Sequence, residues 1–258
     1  MEIRVLGCSG GIGLDRRTTS LLIDDDILID SGSGVGDLSL DEMAAIRHIF
    51  LTHSHLDHIT LLPLLVDSIF ERIESPIVIH AQPPTLKALQ DHIFNWHIWP
   101  DFAKLPTLEK PVMAYETLTP GDIVKLGTRS FEVIPVNHIV PAVGYRVENL
   151  ANGKSFAYSG DTSTNDTLWN ALNRHGRLDL LFVEAAFSNS EEALSIKAKH
   201  YCSKTLAADL VKLKLNPRPQ IFVTHNKPGD ETDIMAECTQ LLPNWGLKSL
   251  KGGDRFTL

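Results

Sequence analysis

The stretch LTHSHLDHIT, residues 51–60, places three histidines and an aspartate within positions 53–58, between two apolar runs. His53 and His55 are two residues apart at the end of an extended segment, so their side chains point the same way and can reach a common ion. Asp57 and His58 follow where the chain turns toward a helix, and they could serve a neighbouring ion. A protein core does not explain so many polar groups in one place. The stretch therefore predicts a metal site.

Two ions need more ligands than this stretch supplies, because each takes roughly four protein or water ligands. The remaining ligands are expected at the ends of other strands, on the same rim. Three residues directly follow apolar strands, namely His138 after SFEVIPVN, Asp161 after KSFAYSG and His225 after PQIFVT. Asp161 is the natural bridge, since a carboxylate can give one oxygen to each ion. Imidazoles with few carboxylates suit two Zn²⁺ ions best, with manganese, iron or cobalt as alternatives.

The order of strands and helices predicts the fold. Apolar strands at 3–6, 20–24, 27–30 and 48–52 are followed by a helix at 61–73, a strand at 75–81 and a helix at 84–95. The pattern recurs with strands at 122–126, 130–136, 142–148 and 154–160, a helix at 166–176, a strand at 178–187, a helix at 203–214, a strand at 219–225 and a helix at 230–242. Two such halves, each with an apolar sheet face to cover, predict an α/β protein with a four-layer αββα sandwich, in one domain spanning residues 1–258.

The charge and hydropathy of the sequence disfavour two classes of binding partner, nucleic acids and membranes. The 258 residues include 24 Lys and Arg against 32 Asp and Glu, a net charge of −8. This balance disfavours a general attraction to nucleic acid, although a local basic patch stays open. The start, MEIRVLGCSGG, lacks the regions of a secretory signal, and no apolar run approaches a bilayer span, so we expect a cytoplasmic protein without membrane contact. The glycine-rich GCSGGIG (7–13) is expected to form a tight turn beside the site.

Taken in order, these residues make the sequence resemble the metallo-β-lactamase superfamily over essentially its whole length. The series THSHLDH, His138, SGDT with Asp161, and VTH with His225 is similar to the five metal-binding motifs of that superfamily. Carried over by position, the resemblance implies two ions bridged by Asp161, one held by His53, His55 and His138, the other by Asp57, His58 and His225.

Five segments together resemble the class II cyclic nucleotide phosphodiesterases: HLDHITLLPLL (55–65), HIFNWHIWPDF (92–102), HIVPAVGYRVE (138–148), FVEAAFSN (182–189) and VTHNKPG (223–229). That family hydrolyses 3',5'-cyclic AMP or cyclic GMP to the 5'-monophosphate. The resemblance makes a cyclic nucleotide the expected substrate, and a hydroxide shared by the two ions the expected nucleophile. The sequence does not choose between cyclic AMP and cyclic GMP. It also leaves the oligomeric state open, with a homodimer as one option.

Residues that would contact the substrate are predicted from the same segments. An adenine or guanine ring could stack on one of Phe94, Trp96 and Trp99. The expected substrate contacts are Phe94, Asn95, Trp99 and Lys227. Aromatic clusters of this kind also occur in cores and at subunit contacts, and that alternative stays open.

The departing ribose oxygen needs a proton, which metal ligands cannot supply. His200, in KAKHYCSKT, is the candidate general acid, and Glu184 of FVEAAF would hold its imidazole. Ribonuclease Z, a tRNA 3'-processing nuclease of the same superfamily, uses a Glu and a His in the corresponding elements. We therefore predict His200 and Glu184, together with Asp57 of the metal cluster, as catalytic groups. The alternative for His200 is a capping or surface role.

Ribonuclease Z is the nearest rival function. Its HEAT and HST elements align loosely with residues 183–186 and 200–205, which here are VEAA and HYCSKT, and the acidic balance does not favour a polyanionic substrate. A thioesterase or lactamase would use the same metals without a proton donor to ribose. A non-enzymatic metalloprotein would need closed metal sites, whereas seven ligands shared by two ions leave room for water.

Overall fold

The computed structural model describes all 258 residues, Met1–Leu258. The strands in chain order are β1 (Glu2–Gly7), β2 (Ser20–Ile23), β3 (Ile27–Ile29), β4 (His48–Phe50), β5 (Ile77–Ala81), β6 (Pro106–Thr107), β7 (Lys110–Pro111), β8 (Met113–Thr117), β9 (Ile123–Leu126), β10 (Arg129–Pro135), β11 (Val143–Asn149), β12 (Ser155–Tyr158), β13 (Leu180–Glu184), β14 (Gln220–Thr224), β15 (Lys248–Ser249) and β16 (Arg255–Thr257). The α-helices are α1 (Leu40–Ala45), α2 (Leu56–Ile59), α3 (Leu62–Ser68), α4 (Pro83–His92), α5 (Thr167–Arg174), α6 (Glu192–Ala198), α7 (Ser203–Leu210) and α8 (Glu231–Leu241). No helix has the length and apolar character needed to cross a bilayer.

Two seven-stranded sheets organise these elements. The first has the order β16-β1-β2-β3-β4-β5-β8, and the second the order β15-β14-β13-β12-β11-β10-β9. Strands β6 and β7 form a separate small hairpin. The last strand, β16, pairs antiparallel with β1, so the first sheet is built from both ends of the chain.

Apolar side chains fill three layers around the two sheets. A cluster of 20 buried residues joins the sheets, and Phe50 of the first sheet stacks on Phe131 of the second with ring centroids 4.2 Å apart. Clusters of 22 and 20 buried residues lie under the helices on the two outer faces. The predicted αββα sandwich is therefore confirmed. Removal of a fully buried ring such as Phe50 would cost about 3–5 kcal/mol of stability.

Strand direction places the loops that matter at one edge. Strands β3, β4 and β5 run parallel to one another, and so do β12, β13 and β14. Carboxyl ends of parallel strands lie at the same edge of a sheet, where ligands commonly bind in α/β proteins. The loops that follow β4, β12 and β14 carry most of the predicted metal ligands.

The helix predicted over 61–73 is wrong in its extent. The structure has the short α2, then α3, and then a 3₁₀ turn at Phe70–Arg72. Helix α3 begins with a proline in its first turn and ends at Ser68, because the next residue, Ile69, has a φ of −117° that is not helical and a buried side chain. Similarly, α4 ends at His92 rather than 95, because the chain turns there to bury Phe94.

Candidate metal centre

Side chains from four segments meet at this edge. Their potential ligand atoms form two groups, and within each group all atoms lie within 4.8 Å of one another. The first group is His53, His55, His138 and Asp161, and the second is Asp57, His58, Asp161 and His225. Asp161 belongs to both groups, as a bridging carboxylate would. The structure thus brings together all seven residues that the sequence nominates as ligands.

Asp161 lies in the middle of the cluster and is 1% exposed. Its Oδ2 atom is 3.3 Å from His58 Nε2, 3.3 Å from His225 Nε2 and 3.7 Å from His53 Nε2. Burial alone would raise the pKa of Asp161, but the charges of His225 and His58 hold that pKa well below its ordinary value. The bridge position therefore holds an anionic carboxylate.

A buried carboxylate outside the cluster fixes the ring orientation of two histidines. Asp30 accepts hydrogen bonds from the Thr52 backbone N–H at 2.8 Å, from the Thr52 hydroxyl at 2.9 Å and from His58 Nδ1 at 2.7 Å. Because the Thr52 hydroxyl donates to Asp30, it accepts from His53 Nδ1, 3.0 Å away. His53 and His58 consequently turn Nε2 toward Asp161. Such outer partners commonly set the tautomer of metal-binding histidines.

His138 is oriented by the backbone. Its Nδ1 donates to the carbonyl of Lys199 at 3.0 Å, which leaves Nε2 free, 3.2 Å from His55 Nδ1. Burial lowers the pKa of His138 to about 4 and that of His53 well below its ordinary value. Both rings are therefore neutral near pH 7, which is the form that binds a metal ion.

The residues present fit a pair of cations. His53 Nε2 and both carboxylate oxygens of Asp161 are buried and have no hydrogen-bond partner in the protein. Buried polar atoms without a partner are rare in folded proteins. Divalent cations would supply the missing partners for these convergent lone pairs. Imidazole nitrogens with carboxylate oxygens are a ligand set that zinc accepts, and zinc as the metal stays a prediction.

The glycine-rich loop at 7–13 packs against the last histidine. The backbone N–H of His225 donates to the carbonyl of Cys8 at 2.7 Å, and Gly10 donates to the carbonyl of Asn226 at 2.9 Å. A Cβ atom on Gly10 would lie 2.5 Å from the His225 carbonyl oxygen, so glycine is required there. His225 itself has a φ of +61°, which its neighbours hold in place. The loop lies beside the site as expected, but it only bends, at Gly10 and Gly11, and the tight turn falls just after it at Leu14 and Asp15.

His200 and Glu184 form a hydrogen-bonded pair next to the cluster. Glu184, the last residue of β13, is fully buried, and its Oε1 lies 2.9 Å from His200 Nδ1. The His200 ring lies with its centroid 4.8 Å from that of His138 and 5.4 Å from that of His225. Burial works to lower the pKa of His200, but Glu184 outweighs it and raises the pKa above its ordinary value. Neighbouring Thr162 donates its backbone N–H to the same Glu184 oxygen at 2.9 Å.

The predicted substrate contacts divide into two sets. Lys227 follows the last metal histidine by two positions, and its Nζ donates to the carbonyl of Gly10 at 2.8 Å, beside the site. Phe94, in contrast, is 2% exposed and packs in the outer core of the first sheet, so the expectation that its ring stacks on a base is wrong. Trp99 packs partly against the same core. Asn95 uses its Oδ1 to accept the backbone N–H groups of residues 97 and 98 within its own turn.

Asp30 and Thr52 are the site residues that the sequence interpretation missed. The sequence places Asp30 at the end of the strand ILID and predicts no role for it. A signal was present, because an acid that ends an apolar strand before Ser-Gly is an unusual place for a charge. Its φ of +58° and its complete burial show a position specialised for this contact.

Comparison with known proteins agrees with this geometry. Residues 26–224 match the model of the beta-lactamase superfamily domain. The chain belongs to this superfamily. The superfamily resemblance drawn from the metal motifs is thereby confirmed, and a fold of metal-dependent hydrolases accounts for the two-group cluster.

Both phosphodiester-cleaving relatives named from the motifs occur among similar proteins. The chain is 26% identical over 235 residues to a probable 3',5'-cyclic-nucleotide phosphodiesterase of Yersinia pestis, covering 73% of this chain and 65% of the relative. It is 25% identical to a ribonuclease Z of Thermosynechococcus vestitus in an alignment of 312 positions, gaps included, that covers 95% of this chain and 72% of that protein. This superfamily member thus spans slightly less than two thirds of the phosphodiesterase it matches. In fold it is similar to unliganded yeast PDE1, with a TM-score of 0.82, 20% identity, and coverage of 100% of this chain and 99% of the other.

Proposed function

We propose that this protein is a metal-dependent phosphodiesterase that hydrolyses 3',5'-cyclic nucleotides to 5'-monophosphates. The observation that carries the proposal is the His200–Glu184 pair beside the two-group cluster, with 2.9 Å between His200 Nδ1 and Glu184 Oε1. A ribose alkoxide is a poor leaving group and needs a proton as it departs, whereas a thiolate does not. The geometry therefore favours a phosphodiester over a thioester.

The choice of a cyclic nucleotide is supported by similarity and by charge. The similar proteins of Yersinia pestis and Aliivibrio fischeri, each 26% identical, are named as 3',5'-cyclic-nucleotide phosphodiesterases, the first as probable. A net charge of −8 gives no general attraction for a long polyanion, but it allows a small anion at a locally cationic site.

Each residue has a role in this reaction. Two divalent cations, bound by the seven clustered side chains, would lower the pKa of water and neutralise the phosphate. His200 donates a hydrogen bond from Nδ1 to Glu184, and it gives the proton on Nε2 to the departing 3'-oxygen. Asp57 has a side chain 28% exposed, against 1% for Asp161, and is the carboxylate in place to take a proton from the attacking water. Lys227, held by Gly10, adds positive charge for the phosphate.

A ribonuclease Z-like nuclease is the second candidate. The alignment with the Thermosynechococcus vestitus ribonuclease Z covers 95% of this chain, more than the 73% covered by the Yersinia pestis relative. Both candidates use the same cluster and the same proton donor. They differ in the size and charge of the substrate that must reach them.

The deciding experiment compares substrates. The protein is loaded in turn with zinc, manganese or iron, and kcat/KM is measured with cyclic AMP, cyclic GMP, bis(p-nitrophenyl) phosphate and a tRNA precursor. We expect kcat/KM for a cyclic nucleotide to exceed that for the tRNA precursor by at least about tenfold. Asp161→Asn should abolish turnover of every substrate. Efficient processing of the tRNA precursor alone would replace this proposal with the second candidate.

A further inference from the structure

Asp209 is a buried carboxylate on α7 that collects donors from several parts of the chain. Its Oδ2 accepts from the backbone N–H of Asn165 at 2.9 Å, from the Trp169 indole N–H at 3.1 Å and from the Tyr201 hydroxyl at 2.7 Å. Its Oδ1 lies 2.8 Å from Lys212 Nζ. The residue is 2% exposed, so this is a buried charge with a full set of partners. It touches no metal ligand.

One of these donors belongs to a direct neighbour of the proposed proton donor. Tyr201 follows His200 and is fully buried. Its backbone N–H points to Glu184 Oε2 at 3.3 Å, while the other oxygen of Glu184 lies 2.9 Å from His200 Nδ1. Tyr201 is thus held at two ends, by Glu184 at its backbone and by Asp209 at its hydroxyl.

The backbone on the other side of His200 is constrained. Lys199 has a φ of +55°, in the left-handed region that residues other than glycine rarely adopt, and its carbonyl accepts from His138 Nδ1. The backbone N–H of His200 donates to the Ser195 carbonyl at 3.0 Å. A residue keeps such an uncommon backbone conformation only where the surrounding contacts hold it there. The buried Tyr201 supplies such a contact on the far side.

We infer that Asp209 is a positioning residue for the general acid, acting through Tyr201 to set the orientation of the His200 imidazole. This inference rests on the proposed function, because it assigns His200 its role as proton donor. The Tyr201 hydroxyl donates its hydrogen bond to Asp209 and not to His200. Removal of this hydroxyl therefore changes the position of the His200 ring but leaves its Nε2 proton available for donation. A displacement of about 1 Å can cost roughly 100-fold in rate. Loss of one contact among several should cost about tenfold.

The test uses two diesters that differ in their need for a proton. Cyclic AMP must release a ribose alkoxide, whereas bis(p-nitrophenyl) phosphate releases a stable phenolate that departs without a proton donor. For Tyr201→Phe, we expect kcat for cyclic AMP to fall about tenfold with KM changed less than twofold. We expect kcat for bis(p-nitrophenyl) phosphate to stay within twofold. Zinc content and Tm are measured on every variant, so that loss of metal or of folding is seen directly.

Two matched controls remove other contacts of the same carboxylate. Trp169→Phe deletes a different donor to Oδ2, and Lys212→Met deletes the contact to Oδ1, but neither residue adjoins His200. Both should leave the ratio of the two kcat values within twofold of the wild type. Asp209→Asn gives the Tyr201 hydroxyl a weaker, neutral acceptor and should show a smaller loss in the same direction as Tyr201→Phe. It also serves as the second variant if Tyr201→Phe folds poorly.

His200→Ala separates the inference from the function beneath it. If His200→Ala slows both diesters alike, or neither, the proposed proton donor is wrong. If His200→Ala is selective for cyclic AMP while Tyr201→Phe and Asp209→Asn are not, positioning by Asp209 is overturned. Equal selectivity in Trp169→Phe or Lys212→Met would overturn it as well, since the effect would then be a general consequence of disturbing this carboxylate.

Discussion

His58 Nδ1 lies 2.7 Å from Asp30 Oδ2, and both side chains are fully buried at the edge where the two sheets meet. Asp30 follows β3 and His58 lies in α2. The contact therefore connects β3, the strand paired with β4, to the metal cluster. Burial tends to lower the pKa of His58, but Asp161 and Asp30 raise it well above its ordinary value. Positive charge on the His58 ring is therefore stabilised from both sides, by Asp30 at Nδ1 and by Asp161 at Nε2.

Asp30→Asn should weaken metal binding without removing a ligand. The amide cannot match the charge of the carboxylate or accept all three hydrogen bonds from Thr52 and His58. Loss of such an outer partner typically costs 10–100-fold in metal affinity. Zinc affinity is measured by competition with a chromogenic chelator. Asp25→Asn, an exposed change in the turn just before β3, is the control, and equal affinities in the two variants would contradict the role given to Asp30.

Removal of the metal should lower thermal stability. The cluster then keeps a buried Asp161 whose oxygens have no hydrogen-bond partner, and ligand binding to the native state alone adds about 2.7 kcal/mol at 100 times its Kd. For a protein of this size, Tm should fall by about 5–10 °C when a chelator is added. Calorimetry with and without chelator measures this shift. Asp161→Asn should show little or no shift, and a full shift in that variant would place the metal elsewhere.

His200→Ala should reduce kcat for the best cyclic nucleotide by about two to four orders of magnitude. Metal content should remain that of the wild type, because His200 belongs to neither ligand group. Glu184→Gln should produce a smaller loss, since the amide can still accept from His200 Nδ1 but no longer favours its protonated form. Both predictions are checked by measuring kcat for each variant in discontinuous assays and the metal content of the same samples. Normal turnover in His200→Ala would exclude the residue from the mechanism.

Local sequence was enough for the metal ligands but not for what supports them. HxHxDH is a dense local pattern, and His138, Asp161 and His225 each follow an apolar strand, so a common edge could be inferred. Asp30 escaped notice because its role depends on the pairing of β3 with β4, which no local pattern encodes. The same is true of β16, which pairs with β1 from the opposite end of the chain.

Turn chemistry explains the error at Phe94. The aromatic residues of HIFNWHIWP suggested a stacking surface, but Asn95 closes a tight turn with its own side chain and the turn directs Phe94 into the core. Aromatic content alone could not separate a ligand platform from a core anchor. The structure separates them by burial.

Acid sensitivity of the fold should depend on His80, which lies in β5 and belongs to neither ligand group. Its ring stacks on Phe50 with centroids 4.3 Å apart, and its Nε2 lies 3.0 Å from His48 Nδ1. Burial, and to a lesser degree His48, lower the pKa of His80 from an ordinary value of 6.5 to about 4. Because the folded pKa lies below the unfolded one, protonation favours the unfolded chain. Stability is therefore lost as the pH falls from 6.5 toward 4.

At pH 5.5 the loss from this residue should be roughly 1 kcal/mol. His80→Phe keeps a ring that can stack on Phe50 but cannot be protonated, so its stability should fall less than that of the wild type between pH 7 and pH 5. Urea unfolding at several pH values measures the difference, with the metal removed in all samples so that acid-driven release of the metal does not contribute. The exposed His92→Phe is the control. Burial, opposed by the charge of Asp26 and aided by that of Arg129, lowers the pKa of His48, which is unchanged in both variants. An equal acid dependence in His80→Phe and wild type would therefore assign the effect to other groups.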